Sequence, residues 1–211
     1  MSSIASIDVL AQAIVSWSGR ADISQDQLLQ FMDFTGIAAG QYLRVSGNLA
    51  SVSQELTLNY LEVPVDLEEL KGITLVNTND LSYTKNLEYI PWSSFVNEEG
   101  HEAILDPKFF TKRGGYYYFS PELPVGTWVR LDYYQKIPTL NQANPSNWLL
   151  FRYPMIYLYG CLKYLHEFVL DEERAAYWET RFEKELVKLQ QSHDGSEYEG
   201  SILTVRRTKY D

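Results

Sequence analysis

Cysteine and histidine are scarce in this chain, which has a single cysteine, Cys161, and three histidines. One cysteine excludes an intrachain disulfide, and its place in an apolar helical segment predicts a small buried hydrophobic residue. His101, His166 and His193 are scattered, and none lies at metal-ligand spacing from a second histidine or cysteine. The sequence therefore predicts no metal site and no disulfide scaffold.

Long apolar runs and the common catalytic motifs are also missing. No apolar stretch approaches the roughly 20 residues that cross a bilayer, and residues 1–17 lack the basic start of a signal peptide. There is no glycine-rich phosphate loop, nucleophile elbow or H-E-x-x-H motif. His101 lies beside Glu102 and is interpreted as a solvated loop residue rather than a general base. We expect a protein made in the cytoplasm, without membrane contact, that is not an enzyme and holds no cofactor.

Basic residues are few relative to acidic ones. The chain has 18 basic and 28 acidic residues, a formal net charge of −10. Binding of nucleic acid by phosphate neutralisation needs clusters of lysine and arginine, which the body of this chain lacks. Tyrosine and tryptophan are abundant, at 16 and 5 residues. Because these side chains suit interfaces as well as cores, the composition favours a protein that assembles with others.

Two amphipathic helices are predicted in the amino-terminal part. Apolar residues recur at spacings of three and four over residues 4–17, and Gly19 marks the expected end. Ser24 followed by Gln27 is a capping-box pattern, from which a second helix should persist to about Arg44. Two glycines inside the second helix are expected to let another helix pack closely: Gly36 and Gly40.

The middle of the chain changes to a period of two, which predicts β-strands. The alternation starts at Leu49 and continues to Tyr134 in short runs divided by glycine, proline and asparagine. Gly114-Gly115 lies between two aromatic runs and predicts a hairpin. The aromatic run at residues 116–119 either fills both faces of a sheet, the interpretation we favour, or stacks sugars or bases. Residues 137–146 contain two prolines and are expected to run extended across the sheet.

Two antiparallel helices are predicted near the carboxyl end, joined by a corner of one or two residues. Pro154 suits the first turn of a helix that is apolar on nearly every side from Met155 to Val169, so this helix needs cover from other helices or from other subunits. Asp171 can cap the next helix, whose apolar stripe stops at Leu189. The predicted core of the bundle is Trp148, Leu158, Leu162, Leu165, Trp178, Phe182 and Leu186.

These elements predict an α+β fold. Helices from both ends form a helical bundle, and an antiparallel β-sandwich or curled sheet is inserted between them. Residues 201–211 carry a net charge of +2, so −10 minus +2 leaves −12 on the rest of the chain. The predicted regions are 1–48 for the first bundle helices, 49–137 for the sheet, 138–191 for the last bundle helices, and 192–211 for an extended tail that begins with a polar linker.

Three motifs follow one another in the carboxyl-terminal half: Asn-Pro-x-Asn-Trp-Leu-Leu at residues 144–150, then Tyr159-Gly160, then an acidic helix start that runs from Asp171 through Glu172, Glu173, Arg174 and Ala175 to Trp178. Their order resembles the head-to-tail adaptor (connector) proteins of tailed bacteriophages, including the tail tubular protein A group. A second, shorter likeness to the amino-terminal helices of that family is carried by Trp17, Arg20 and Asp22.

The resemblance implies a structural protein of the virion neck, between capsid and tail. By family analogy its copies form a ring of twelve that joins the portal protein to a tail or nozzle protein. DNA would pass through the lumen without specific binding, and an acidic wall would avoid gripping it. The alternative from another class is a β-sandwich binding module or carbohydrate-active enzyme with exposed aromatics.

We expect the tail, residues 201–211, to bind the portal protein by strand addition. Its apolar residues have no local partner, and main-chain hydrogen bonds to a sheet edge of the portal would supply affinity while basic residues steer the encounter. The sequence leaves open that the tail pairs with this chain's own sheet. The predicted portal-binding residues are Ile202, Leu203, Thr204, Val205, Arg206, Arg207 and Lys209.

Overall fold

The computed structural model describes residues 4–76, 83–98 and 109–198 of the 211-residue chain. The chain divides into two compact units. The helical unit is built from the described residues up to Gly47 together with those from Ile137 onward, and the sheet unit is Asn48–Lys136. The predicted α+β class, with a curled sheet, is confirmed.

The helical unit begins with α1 (Ile7–Ser18) and α2 (Gln25–Tyr42). Gly19 ends α1 with φ 68°, a backbone conformation that glycine adopts without steric cost. Ser24 and Gln27 form both hydrogen bonds of the capping box that starts α2. Both predicted helices are therefore confirmed, with their carboxyl ends within two residues of the expected positions, although α1 begins at Ile7 rather than at residue 4.

Three more helices complete this unit: α4 (Trp148–Arg152), α5 (Pro154–Phe168) and α6 (Glu172–Tyr198). Pro154 starts α5, and the Asp171 carboxylate accepts from the Arg174 N–H at 3.2 Å as α6 begins. α5 contacts α1, α2, α4 and α6, so other helices of the same chain supply the cover that its apolar surface requires. The corner between α5 and α6 has three residues, Val169, Leu170 and Asp171, one more than predicted.

Two predictions about these helices are wrong. Met155, placed by its spacing on the buried face of α5, is 41% exposed, whereas Leu158, one turn later, is fully buried. Neighbouring helices therefore bury this face of α5 only after its first turn. Residues 192–198 belong to α6 rather than to a linker, because tertiary hydrogen bonds hold the polar end of this helix. The Ser46 N–H donates to Nε2 of His193 at 2.7 Å, and the Gln190 amide bonds the backbone N–H and C=O of Arg44.

The segment at residues 137–146 does not run extended across the sheet. Ile137 and Leu140 are buried in the core of the helical unit, where Ile137 lies beside Gly40 of α2. A tight turn follows, closed by two backbone hydrogen bonds between Asn141 and Asn144 of 3.0 and 3.1 Å. Two apolar side chains within a polar segment determine this path, because the helical core can bury them.

The described part of the sheet unit contains seven strands and one helix. Strand order across the sheet is β1-β7-β3-β4-β5-β6-β2, and the sheet curls into a half-barrel. The elements are β1 (Leu49–Glu55), β2 (Tyr60–Glu62), β3 (Leu67–Val76), β4 (Tyr83–Tyr89), α3 (Trp92–Glu98), β5 (Phe109–Arg113), β6 (Tyr116–Ser120) and β7 (Trp128–Gln135).

One strand pair departs from the expected antiparallel pattern. β4 and β5 pair in parallel, with Glu88 opposite Phe109 and Tyr89 opposite Phe110. The connection between these two strands includes α3 and is long enough to return the chain to the same end of the sheet, as a parallel pair requires. The other pairs are antiparallel, and Gly114-Gly115 forms the predicted hairpin between β5 and β6.

Alternation along the strands builds the core of the sheet unit. In β7, Val129, Leu131 and Tyr133 are buried, and the residues between them are partly exposed. In β6, Tyr117 and Phe119 enter the same core, whereas the rings of Tyr116 and Tyr118 pack against Tyr60 at 4.9 and 6.1 Å. The aromatic run thus packs on both faces of the sheet, which supports the interpretation we favoured.

Candidate functional site

Asn147 joins three parts of the helical unit. Its side-chain oxygen accepts from the Leu150 N–H at 2.9 Å and caps α4, and its amide nitrogen donates to the Pro138 carbonyl and to the Tyr157 hydroxyl, both at 2.8 Å. The asparagine is 9% exposed, so these bonds replace the water that its amide would otherwise require. Burial also raises the pKa of Tyr157, so that its hydroxyl stays protonated. Asn147 therefore fixes how the segment before α4 meets α5.

Trp148 follows in the same motif and lies against the backbone after α2. A methyl group built at Gly47 would lie 2.7 Å from Cε3 of Trp148, so only glycine permits this approach. The indole Nε1 and the Ser146 hydroxyl are buried atoms with no hydrogen-bond partner in the described part of the chain. Both residues line an open depression of about 650 Å³. Its wall consists of Ser46, Gly47, Ser146, Asn147, Trp148, Phe151 and Arg152.

The rim of this depression combines an apolar and a cationic side chain. Phe151 is 67% exposed although it is aromatic. Arg152 is exposed, and within residues 4–76, 83–98 and 109–198 it has no acidic partner. The Arg152 guanidinium can only donate hydrogen bonds, so a carboxylate next to an apolar group is the occupant that fits this rim best.

Gly160 permits α5 to approach two helices at once. A methyl group at this position would clash with the methyl group of Thr35 on α2 and would lie 3.1 Å from a ring carbon of Phe182 on α6. Next to it, Cys161 is fully buried, and its thiol lies 3.5 Å from the Thr35 hydroxyl. Burial raises the pKa of Cys161 to about 12, so the thiol is unreactive at neutral pH. The prediction that this cysteine is a small buried hydrophobic residue is confirmed.

An aromatic cluster fastens α1, α5 and α6 to one another. Tyr159 stacks on Trp178 with ring centroids 5.7 Å apart, and Trp17 meets both rings at 6.3 and 5.9 Å. Tyr177 meets Trp178 edge-on at 4.9 Å, and the Arg181 guanidinium lies 4.7 Å from the Tyr177 ring centre. Offset and edge-to-face contacts of this kind stabilise a fold beyond their buried area. The motif aromatics are thus fold-forming residues.

The corner between α5 and α6 has an unusual backbone. Leu170 has φ 57°, and in the described residues it is the one residue other than glycine with a positive φ. Its N–H bonds the Glu167 carbonyl at 3.1 Å, and the Asp171 N–H bonds the His166 carbonyl at 2.9 Å. This is the helix-ending arrangement in which glycine usually occupies the left-handed position, and a side chain there costs roughly 1–2 kcal/mol. The leucine is nevertheless 87% exposed, so its side chain contributes almost nothing to its own core.

The structure describes all of the predicted core residues but none of the predicted portal-binding residues of the tail. Of the seven core positions, five are fully or almost fully buried, and the two tryptophans are partly exposed. The portal-binding residues between Ile202 and Lys209, and also His101, lie outside the described residues. Sequence reasoning did not find the depression, Arg152 or the exposed corner. No local pattern distinguishes Phe151 or Leu170 from the buried residues around them.

Other kinds of functional site find no support in the described residues. Residues 4–76, 83–98 and 109–198 contain no group of three or more histidine, cysteine, aspartate or glutamate side chains placed to hold a metal ion. Among the described helices, none combines the length and the apolar character that crossing a membrane requires. The conspicuous features are therefore the exposed apolar surfaces and the depression.

Comparison with known proteins agrees with a role in assembly. The family model described as SU10 adaptor protein matches residues 5–206, nearly the whole chain. No curated protein matches the sequence significantly. The match spans both units and includes every motif residue described above, and its family consists of phage adaptor proteins. The chain therefore belongs to the SU10 adaptor protein family.

Proposed function

We propose that this protein is the subunit of an adaptor ring that joins the portal of a phage capsid to the tail, in the manner of the connector proteins of the tail tubular protein A group. The observation that carries the proposal is the family match over residues 5–206. Twelve copies would surround a channel through which the genome is ejected. The protein would act in the virion neck by holding other proteins together, without catalysis or a cofactor.

The composition of the helical unit supports a role in assembly. The motif residues of the family serve the fold itself: Asn147 by its buried hydrogen bonds, Gly160 by close packing, and Trp178 by ring stacking. The surface nevertheless keeps several large apolar side chains exposed, among them Phe151 and Leu170. We propose that these side chains contact other proteins of the assembly, because exposed apolar surface marks protein-binding sites when it forms a contiguous patch.

The charge distribution also supports the proposal. The chain carries −10 overall, and a channel lined by acidic side chains would let DNA pass without holding it. The basic residues Arg206, Arg207 and Lys209 follow the strand-like run that starts at Ile202. We propose that this tail adds a strand to the portal and that its cations pair with acidic groups there, so that binding weakens as salt rises.

Removal of the tail tests this proposal directly. A chain that ends at Tyr198 keeps the whole of α6, including the bond between Ser46 and His193, so its fold is expected to survive. We expect this shortened chain to lose binding to purified portal protein in sedimentation assays while its unfolding temperature stays the same. Full-length protein with Arg206→Glu and Arg207→Glu should show intermediate binding. Portal binding that persists while the unfolding temperature drops would show instead that the tail belongs to the chain's own fold.

A further inference from the structure

The two ends of α5 carry complementary surface features. The depression walled by Trp148 lies beside its first turn, and the corner at Leu170 follows its last turn. Since α5 has 15 residues, these ends are about 22 Å apart. One copy of the chain cannot bring its own corner to its own depression. Two copies can do so.

The chemistry of the depression defines what it can accept. Trp148 and Phe151 give it an apolar wall. Arg152 supplies an exposed positive charge at the rim. An occupant must bring an apolar side chain for the wall and a carboxylate for the cation.

The corner presents this combination of groups. Leu170 is 87% exposed, and Phe168 is also more than half exposed. Glu172 and Glu173 follow within three residues, and both are exposed. The left-handed backbone at Leu170 directs a leucine into solvent at a position that glycine would occupy without strain. A strained backbone that holds an exposed apolar side chain points to a role outside the isolated chain.

We propose that the corner of one copy, with Leu170 at its centre, docks into the depression at Trp148 of a second copy, where Glu172 or Glu173 meets Arg152. The two surfaces differ, so the contact is heterologous and repeats from copy to copy. Such a contact can close into a ring. The inference therefore deepens the proposed function, on which it rests, by naming the contact between neighbouring subunits.

Leu170→Gly separates a role in assembly from a role in the fold. Glycine relieves the backbone at this position, so the unfolding temperature of the dilute, isolated chain should rise. Loss of the leucine should weaken association between copies about tenfold to a hundredfold, the equivalent of one buried leucine side chain. A residue that served only its own fold would not combine greater stability with weaker assembly.

A mixing experiment tests the contact itself. Leu170→Gly copies keep a functional depression but lack the leucine of the corner. Arg152→Glu copies keep the corner, but their own depression repels the acidic corner of any other copy. Each variant alone should sediment as a monomer. An equimolar mixture should form a one-to-one pair and nothing larger, because one depression and one corner in each pair remain blocked. Native mass spectrometry or sedimentation velocity distinguishes these species from the larger oligomers of the unaltered protein.

Two matched variants serve as controls. Lys184→Glu reverses an exposed charge on α6, and Val65→Gly removes a side chain that is 92% exposed on the sheet unit. Both should assemble as the unaltered protein does. Both altered chains assembling normally, or a mixture that stays monomeric, would overturn the inference. If rings still form on the portal in either of these cases, the proposed function stands and the subunit contact lies elsewhere. If the unaltered protein forms no rings even with the portal protein, the proposed function itself is contradicted.

Discussion

The helical unit and the sheet unit depend on different properties of the sequence. In the helical unit, individual residues are hard to replace: the buried Asn147 side chain makes three hydrogen bonds, and Gly160 permits close approach of two neighbouring helices. In the sheet unit, the core follows from alternation, as in Val129, Leu131 and Tyr133 of β7. One unit is specified by residue identity, and the other is specified mainly by pattern.

This difference explains what the family motif represents. Motif residues such as Asn147, Gly160 and Trp178 hold the helical unit together, and the described part of the chain contains no group of side chains placed to hold a metal ion. The motif therefore identifies an architecture. Function resides in the surface that such an architecture presents, and we propose that exposed residues such as Phe151, Arg152 and Leu170 form part of the assembly surface.

The largest difference between the units should appear on replacing buried residues by others of similar size. Asn147→Leu removes the cap of α4 and leaves the Pro138 carbonyl and the Tyr157 hydroxyl without their partner, so we expect a loss of about 3 kcal/mol in unfolding free energy. Leu131→Met keeps its volume and should cost below about 1.5 kcal/mol. Urea unfolding of both variants provides the measurement. Equal losses would contradict the distinction between the units.

Glycine replacement sharpens the same comparison and should give effects of opposite sign. Gly160→Ala gains helix propensity but must displace Thr35 or Phe182, so we expect a net destabilisation of about 1 to 2 kcal/mol. Gly72→Ala in β3 meets nothing within 4 Å and has an ordinary backbone, so it should stabilise by up to about 1 kcal/mol. Thermal unfolding of the two variants measures the sign of each change in stability. Stabilisation by Gly160→Ala would show that α5 is packed less tightly than its contacts indicate.

The smallest effect concerns pH and is confined to the helical unit. Burial lowers the pKa of His166 below its usual 6.5, although Asp171 lies 3.7 Å away and acts in the opposite direction. The folded chain then binds fewer protons than the unfolded chain, so stability is retained above pH 6.5 and declines as the pH falls below it. His166→Gln should flatten this decline, by at most about 1.4 kcal/mol per pH unit. Unchanged curves of unfolding temperature against pH would contradict this role of His166.

The parts of the fold that the sequence predicted are those set by local interactions. Gly19, the Ser24 and Gln27 box, Pro154 and Asp171 define helix ends through hydrogen bonds within a few residues of themselves. The hairpin at residues 114–115 has the same character. Each of these signals can be identified in the sequence without knowledge of what lies nearby in space.

The parts that it did not predict depend on distant partners. α6 continues beyond Leu189 where Gln190 and His193 bond the segment after α2, more than a hundred positions earlier in the sequence. The path of residues 137–146 depends on burial beside Gly40. Likewise, the spacing of Leu170 within its segment gives no indication of a left-handed backbone. Trp148 was predicted to be a core residue, although it lines an open depression.

Electron microscopy of the purified protein, alone and mixed with its portal protein, tests the central claim most directly. We expect annular particles with a central hole that seat coaxially on the portal. We also expect Leu170→Gly copies to form fewer closed rings than unaltered copies at the same concentration. Small solid particles that never join the portal would contradict the adaptor role and would favour a binding module that acts alone.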